Sequence, residues 1–292
     1  MTLFAFKAAL EWGKLLGWNP TNDAETTYTS DPRNYIARYN EANQLISIIL
    51  TITYDDDEES HSVKKIGNIG YFITDPNLRH SGIGKQLLEE AIAKLTAQGC
   101  HRIGLNSVPE QIPFYSRYHF KSAEDICHFD GIYKKETPTL SYGAQISPYN
   151  PNHFKALLAY DAAITGANRK KVLRLLFENS AVTTILSLED KQITGYAMAR
   201  PCIKGNYMVS LHANDIRIAK ALVYSILRLL PEAESPFYIY TPKNNISALH
   251  AYFNLTQDYS STVNRMYRND EEDLSLAESN NRTHGVLALE VT

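Results

Sequence analysis

The sequence has few cysteines and no long apolar run. Its three cysteines, Cys100, Cys127 and Cys202, stand far apart and form no CxxC arrangement, which argues against both a disulfide framework and a zinc site. A reducing, cytoplasmic compartment is therefore predicted. No stretch approaches the roughly 18 to 20 uninterrupted apolar residues that a membrane span needs, so no membrane partner is expected.

The sequence also lacks a block of basic residues. The formal charge is -3 at pH 7, so the counterion release that drives nucleic-acid binding has no footprint, and nucleic acid is not expected as a partner. Apolar residues make up 44% of the chain and charged residues 21%, which is typical of soluble globular proteins. The length of 292 residues exceeds the roughly 100 to 200 of one domain and predicts about two domains.

The first half of the chain shows a regular order of predicted elements. They are a helix over 4–16, strands over 35–38, 45–54 and 65–74, a helix over 85–98, a strand over 101–106 and a short helix over 112–118. The strand over 65–74 has little apolar alternation, as strands buried on both faces do. The acidic run 55–59 is interpreted as a hairpin loop, either merely solvated or attractive to a cationic amine.

The second half repeats this order in diverged form. Its predicted helices lie over 151–160, 168–178, 214–230 and 245–253, and its strands over 181–188, 193–200, 206–212, 236–241 and 261–268. Proline, serine and threonine with little periodicity mark a linker over 136–148. We therefore predict a first domain over 1–135, a second over 149–270 and a largely flexible polar tail over 271–292.

The most informative segment is a loop between the strand over 65–74 and the helix that follows it. It consists of Arg79, His80, Ser81, Gly82, Ile83, Gly84 and Lys85. Backbone N–H groups of such a loop and of the first helical turn point at phosphate oxygens, and the helix dipole assists them. Gly82 and Gly84 permit close approach and unusual torsions. The loop therefore predicts a pyrophosphate site.

Spacing separates this loop from two other glycine loops. A Rossmann fingerprint needs a third glycine where Leu87 stands and an acidic residue where Asn106 stands. A Walker loop needs four residues between its glycines and then Lys-Ser or Lys-Thr, whereas one residue separates Gly82 from Gly84, and a glutamine follows Lys85. Neither pattern fits.

The loop resembles instead the signature of the GNAT superfamily of N-acetyltransferases: Arg or Gln, two residues, Gly, one residue, and Gly or Ala, after a strand that ends near a proline. The matching positions are Arg79, Gly82, Gly84 and Pro76. The family's later Tyr-x-x-x-Gly-Phe ending is matched at Tyr115 and Phe120, with His119 in place of the glycine, which is expected to alter the turn there. The opening residues 17–24 resemble a two-domain subgroup whose second domain is degenerate.

This resemblance implies a fold and an activity. The fold is α/β (α+β), with two tandem GNAT-like domains, each a mixed, mostly antiparallel sheet flanked by helices. The activity is transfer of an acetyl group from acetyl-CoA, without a metal, to an amine acceptor that attacks directly in a ternary complex. The strand end Phe72, Ile73 and Thr74 is expected to splay from its neighbour and bind the pantetheine and the thioester, with the loop 79–85 on the pyrophosphate.

Further residues receive roles from the same resemblance. Tyr115 would supply a proton to the leaving thiolate, and Asn106 would bind the cofactor or a water. Glu110 and His128 are candidate general bases, with loss of the proton through water as the alternative. In the second half, 213–217 has no glycine and places Asp215 where a phosphate would lie, so this domain is interpreted as a scaffold that completes the acceptor cleft.

Several alternatives stay open at this point. The acceptor is an amine on a small molecule or on a protein, and a different acyl donor or acceptor is compatible with the same chemistry. A non-catalytic acyl-CoA sensor or a protein-interaction module is the hypothesis from a different class. A secreted bacterial effector is an alternative to the cytoplasmic location, and the sequence makes no prediction of oligomeric state.

Overall fold

The computed structural model describes residues 3–22, 24–25, 31–54, 65–132, 145–230, 236–245, 261–269 and 282–285. The helices in these ranges are α1 (Leu3–Leu15), α2 (Ile83–Ala97), α3 (Ile112–Ser116), α4 (Phe154–Thr165), α5 (Lys170–Glu178) and α6 (Ile216–Leu229). The strands are β1 (Tyr35–Tyr39), β2 (Leu45–Tyr54), β3 (Lys65–Thr74), β4 (Cys100–Ser107), β5 (Lys121–Ile132), β6 (Gln145–Pro148), β7 (Thr183–Glu189), β8 (Gln192–Cys202), β9 (Gly205–Ala213), β10 (Pro236–Pro242), β11 (Ser261–Asn269) and β12 (Thr283–Gly285). Among the described helices, none is both long and apolar enough to cross a membrane.

All the described strands belong to one mixed sheet. Its order is β1-β2-β3-β4-β11-β5-β10-β9-β8-β7-β6, with β12 on β9. The pairs β3–β4 and β9–β10 are parallel, and the other pairs are antiparallel. The mostly antiparallel sheet with flanking helices confirms the predicted fold class.

The two halves exchange strands. Strand β11, from the second half, lies between β4 and β5 of the first, and β5 lies between β11 and β10 of the second. The halves therefore share one sheet and are not separate bodies joined only by a linker. The period-2 pattern of a strand shows which face is buried but not which strand is its neighbour, so this exchange was not predictable from the sequence.

Helices cover both faces of the sheet. We call the face under α1, α4 and α5 the front face, and the face under α2, α3 and α6 the back face. Helix α2 illustrates the local cause: its buried positions Leu87, Leu88 and Leu95 recur at helical spacing, and Gly99, at φ 82°, follows the helix end. Burying a side chain of this size stabilises the fold by about 1.5–3 kcal/mol.

Two short strands lie in segments that were predicted to lack them. The predicted linker, 136–148, ends in β6, which pairs with β7, and the predicted flexible tail, 271–292, contains β12, which pairs with β9. Neither strand was predicted, because strands of four and three residues are too short to show periodicity; the linker and the largely flexible tail themselves stay predictions. The acidic run 55–59 and residues 246–253 of the last predicted helix lie outside the described ranges.

Candidate active site

A gap opens in the sheet at the carboxyl ends of β3 and β4. The two strands pair in parallel from Lys65 and Cys100 up to Ile69 and Leu105. Beyond that pair β3 continues to Thr74 along β2, while β4 continues along β11. The strands thus diverge, as was predicted for the segment Phe72–Thr74, and none of the described strands pairs with the edge of β3 that faces the gap.

A β-bulge lies at the start of this gap. Tyr71 and Phe72 together oppose the single residue Ile49 of β2, and Tyr71 adopts φ 43°. A left-handed torsion in an aromatic residue costs of order 1–3 kcal/mol and is found mainly where neighbours enforce it. The neighbours are the rings of Phe6, 5.6 Å away, and Trp18, 5.4 Å away. Bulges of this kind redirect a strand end, here the one that borders the gap.

The predicted phosphate loop joins this strand end to helix α2. His80 and Gly82 adopt left-handed torsions, φ 64° and 89°, and Gly82 is the N-cap of α2. The amide of Gln86 is the first that bonds back to the Gly82 carbonyl, at 3.2 Å. Glycine has no side chain to accept from the N–H groups of the first turn, and among the described residues no side chain caps this helix, so these groups can bind an external anion.

Gly84 brings the loop against the gap. A Cβ at this position would lie 3.4 Å from Phe72 Cζ and 3.5 Å from Thr74 Oγ1. The helix start and the end of β3 are therefore so close that any side chain at position 84 would touch both residues, which brings two predicted groups of cofactor residues together.

The side chains of the loop are arranged around its backbone. Arg79, His80, Ser81 and Lys85 are exposed, and Ile83 is half-buried. The Ser81 hydroxyl donates to the Leu78 carbonyl at 2.6 Å, which stabilises the loop itself. The loop therefore offers backbone N–H groups, with positive charge from its two basic side chains beside them.

Tyr115 lies on α3 and packs against the back-face core beside α2. Its ring makes edge contacts with Phe114 at 5.2 Å and Phe120 at 6.1 Å. Burial raises the pKa of Tyr115 well above its usual value. The phenol therefore stays protonated at neutral pH, as a proton donor must.

The histidine that replaces the family's glycine does not prevent the turn after α3. His119 adopts φ 66°, a left-handed torsion that glycine takes without strain and that histidine adopts more readily than most residues. The amides of His119 and Phe120 bond to the carbonyls of Ser116 and Tyr115 at 3.1 and 3.3 Å. Histidine thus adopts here the left-handed conformation that the family's glycine would take without strain.

The two candidate bases lie in different environments. Glu110 is exposed, on the turn Pro109–Gln111 that precedes α3. His128 lies on β5 at the front face, with its ring stacked on Tyr240 at 4.6 Å and Tyr238 at 5.7 Å. Burial lowers the pKa of His128, so it is neutral at pH 7.

Helix α6 is the counterpart of α2 in the second half, and a side chain of the protein caps its N-terminus. The Asp215 carboxylate accepts from the backbone N–H of Arg217 at 2.8 Å and of Ile218 at 3.0 Å. Burial raises the pKa of Asp215, but these bonds and the Arg217 guanidinium lower it further, so the net shift is downward. An internal anion thus occupies the position that Gly82 leaves open in α2.

A buried polar cluster under the front face of the second half had no sequence signal. Asp161, which is 0% exposed, accepts from Arg169 Nε at 2.9 Å and from the Tyr196 hydroxyl at 2.6 Å. Arg169 Nη2 also lies 3.5 Å from His212 Nε2. Ser210 and Thr283 extend the cluster at its edges. We call Asp161, Arg169, Tyr196 and His212 the buried cluster.

Comparisons with known proteins match both halves. The family described as "Acetyltransferase (GNAT) family" matches residues 6–120, and "Acetyltransferase (GNAT) domain" matches residues 157–281. An uncharacterised protein of Caenorhabditis elegans is 25% identical over 196 residues, 60% of this chain and 60% of that protein. A glucosamine 6-phosphate N-acetyltransferase of Trypanosoma brucei brucei is 30% identical over 61 residues, 21% of this chain and 42% of that enzyme. The chain thus spans less than two thirds of either relative.

A solved structure extends the comparison to the whole fold. A candidate acetyltransferase from Pyrococcus horikoshii superimposes with a TM-score of 0.71 at 15% identity, over 92% of this chain and 83% of that one. At this identity the similarity establishes the shared architecture of both halves and nothing finer.

Proposed function

Because the chain belongs to the GNAT acetyltransferase family and holds two tandem GNAT domains, we propose that it is an N-acetyltransferase with one acetyl-CoA site, in its first half. The contrast between two helix N-termini carries this proposal. Helix α2 begins with Gly82, which leaves the amides of its first turn open, whereas Asp215 caps those of α6. An anionic cofactor is therefore attracted to the first half and repelled from the second.

The residues around the gap fit acetyl-CoA. The loop 79–85 binds the pyrophosphate through backbone N–H groups, and the free edge of Phe72–Thr74 binds the pantetheine amides. Bound acetyl-CoA supplies a thioester carbonyl, which the acceptor amine attacks directly. Backbone N–H groups at the bulge polarise that carbonyl, Tyr115 holds the proton for the leaving sulfur, and Asn106 lies across the gap, where it binds cofactor or an ordered water.

The acceptor is an amine on a small molecule or a protein. The partial similarity to a glucosamine 6-phosphate N-acetyltransferase, an enzyme named for an amino-sugar acceptor, supports an amine. Glu110 and His128 remain the candidate bases, and transfer of the proton to water is the alternative. The left-handed torsion at His119 removes one reason for the alternative of a non-catalytic sensor, because the turn that carries Tyr115 is formed.

Substitution of Gly82 tests the cofactor site. We expect calorimetry to show one acetyl-CoA per wild-type chain, and we expect Gly82→Glu to weaken binding by about 100-fold or more, because its carboxylate replaces the phosphate as Asp215 does in α6. Gly99→Glu is the matched control: Gly99 is exposed, also left-handed at φ 82°, and lies at the other end of the same helix. If Gly82→Glu binds like wild type, the cofactor site is elsewhere.

Tyr115→Phe tests the proton donor. We expect thiol release from acetyl-CoA with an amine panel to fall about 100-fold, the lower range for loss of a general acid, while the Kd of acetyl-CoA changes little. Tyr118→Phe, on the turn that follows α3, is the control. Because burial raises the pKa of Tyr115, wild-type activity should show no loss from its ionisation below about pH 10.

The outcomes separate the hypotheses. Full activity of Tyr115→Phe would mean that this ring only packs. Tight acetyl-CoA binding by the wild type without thiol release for any amine would favour the sensor hypothesis.

A further inference from the structure

The exchanged strand β11 places charged side chains of the second half beside the gap. Asn106 of β4 lies directly opposite Arg265 of β11, and Arg265 lies directly opposite Glu124 of β5. Side chains of directly opposed residues in antiparallel strands point to the same face. The three side chains therefore form one row across three strands.

This row lies on the front face. Met266, the next residue of β11, is in the back-face core, and side chains alternate along a strand. A second observation agrees: although burial raises the pKa of Tyr54 to about 12, the charges of Arg169 and Arg265 oppose that rise, and Tyr54 packs in the front-face core. The loop 79–85 and Tyr115 belong to the back-face side, so the row lies across the sheet from them.

The row begins where the gap begins. Leu105 is the last residue of β4 that pairs with β3, and Asn106 is the next. An acceptor that reaches the thioester from the front face therefore passes Asn106, with Arg265 one strand further away. The second half also contacts the segment beside the bulge: Asn19 accepts from the Lys204 amide at 3.0 Å, and the neighbouring Trp18 packs against Tyr71.

Arg265 and Glu124 form an ion pair that solvent reaches. Arg265 Nη1 donates to Glu124 Oε1 at 2.9 Å, and the two side chains are 19% and 21% exposed. Among the residues that the structure describes, this bond engages one N–H of a guanidinium that has five, and one oxygen of the carboxylate. The pair thus presents positive and negative groups side by side at a partly desolvated position of the front face, where each is selective for opposite charge.

We propose that Arg265 and Glu124 select acceptors that carry an anionic group, carboxylate or phosphate, near the reacting amine. This inference rests on the proposed function and deepens it. Glu124 attracts the ammonium form of the acceptor, and Arg265 receives the anionic group, for which a guanidinium offers bidentate geometry. When the acceptor binds, Arg265 and Glu124 each exchange the other for an oppositely charged group of the acceptor, so neither charge is left unpaired. Both are positioning residues.

Matched acceptor pairs test this selectivity. The probes are O-phosphoethanolamine against ethanolamine, and β-alanine against β-alanine amide. Binding is measured by calorimetry with the full chain saturated with CoA, so that it does not depend on turnover, and thiol release with acetyl-CoA is measured separately. We expect the anionic member of at least one pair to bind about 10-fold tighter or more, because loss of one charged contact costs about that factor. A preference in the phosphate pair alone identifies phosphate as the group.

Variants connect that preference to the ion pair. Arg265→Gln should reduce it to about 2-fold or less, and Glu124→Gln should weaken all four amines, while Arg174→Gln, which removes half of the surface pair Arg174–Glu178, should change neither. The exchange of Arg265→Glu with Glu124→Arg restores an ion pair between the strands. If the pair acted only by stabilising the fold, this double variant would recover both the stability of the wild type and its preference for the anionic probes. We expect it to recover the stability but not the preference.

The inference fails if no probe binds, if the wild type shows no preference, or if the preference survives in Arg265→Gln. The proposed function still stands after such results, provided that acetyl-CoA binds and that amines without an anionic group release thiol from it. Failure of acetyl-CoA binding refutes the proposed function; the probes are then titrated into the free chain, where their binding still reports on the ion pair.

Discussion

Residues 1–138, expressed alone, are expected to give no cooperatively folded protein, although they include every residue of the proposed cofactor site. The twelve residues of β5 pair only with β10 and β11, both from the second half, and β4 loses β11 on one edge. Backbone groups that pair in the sheet are costly to leave unpaired, and a long unpaired strand edge promotes aggregation. Circular dichroism on heating should show no sharp transition, and calorimetry no acetyl-CoA binding.

The control is a chain divided at the same position, after residue 138, with both pieces present. Residues 1–138 and 139–292, expressed together, should assemble as a one-to-one complex that binds acetyl-CoA, because the break lies within 133–144, between β5 and β6. A sharp thermal transition for the isolated first piece would show that β4 and β5 find other partners. It would also support the domain boundary proposed at residue 135, with independent folding on each side.

Local signals in the sequence were sufficient for part of the site. The torsions at Gly82, the uncapped start of α2 and the glycine signal at its end are properties of a few adjacent residues, so the sequence predicts them. The bulge at Tyr71 has no such signal, since a bulky aromatic residue at φ 43° is held there by Phe6 and Trp18 from other parts of the chain.

Contacts between distant residues explain what the sequence could not predict. Arg265 and Glu124 are 141 residues apart, and their bond exists because β11 enters the sheet of the other half. The same applies to Asn19 and Lys204, which are 185 residues apart. A strand pattern shows alternation but does not identify the neighbouring strand, so the loop proposed to bind the cofactor was predictable from the sequence, and the ion pair proposed to select the acceptor was not.

The two halves differ at the start of the corresponding helix, which has no side-chain cap in the first half and an aspartate cap in the second. In the first half, Gly82 leaves helix donors open and a gap separates β3 from β4. In the second, Asp215 supplies the anion, and the buried cluster occupies the front face over β8 and β9. Internal groups that satisfy each other rigidify a core. The buried cluster thus stabilises the packing of α4 against β8 and β9.

Asp161→Ala is expected to lower the free energy of unfolding by about 3–5 kcal/mol, the usual cost of leaving one partner of a buried ion pair without the other. The side chains of Asp161 and Arg169 are 0% and 8% exposed, so water cannot compensate the guanidinium. Urea denaturation at pH 7 measures the loss. Glu178→Ala, which breaks the surface pair with Arg174, should cost less than about 1 kcal/mol.

A double variant and a pH series define the origin of this loss. Asp161→Ala with Arg169→Met removes both charges and should recover much of the stability. Burial raises the pKa of Asp161, but the charge and hydrogen bonds of Arg169 lower it further, so the net shift is downward. The folded state therefore binds its proton less readily than the unfolded state, and the contribution of Asp161 is complete above about pH 4 and disappears as the pH falls further. Wild type and Asp161→Ala should accordingly converge in stability only in acid; a difference below about 1 kcal/mol at pH 7 would mean that the cluster accommodates an unpaired arginine.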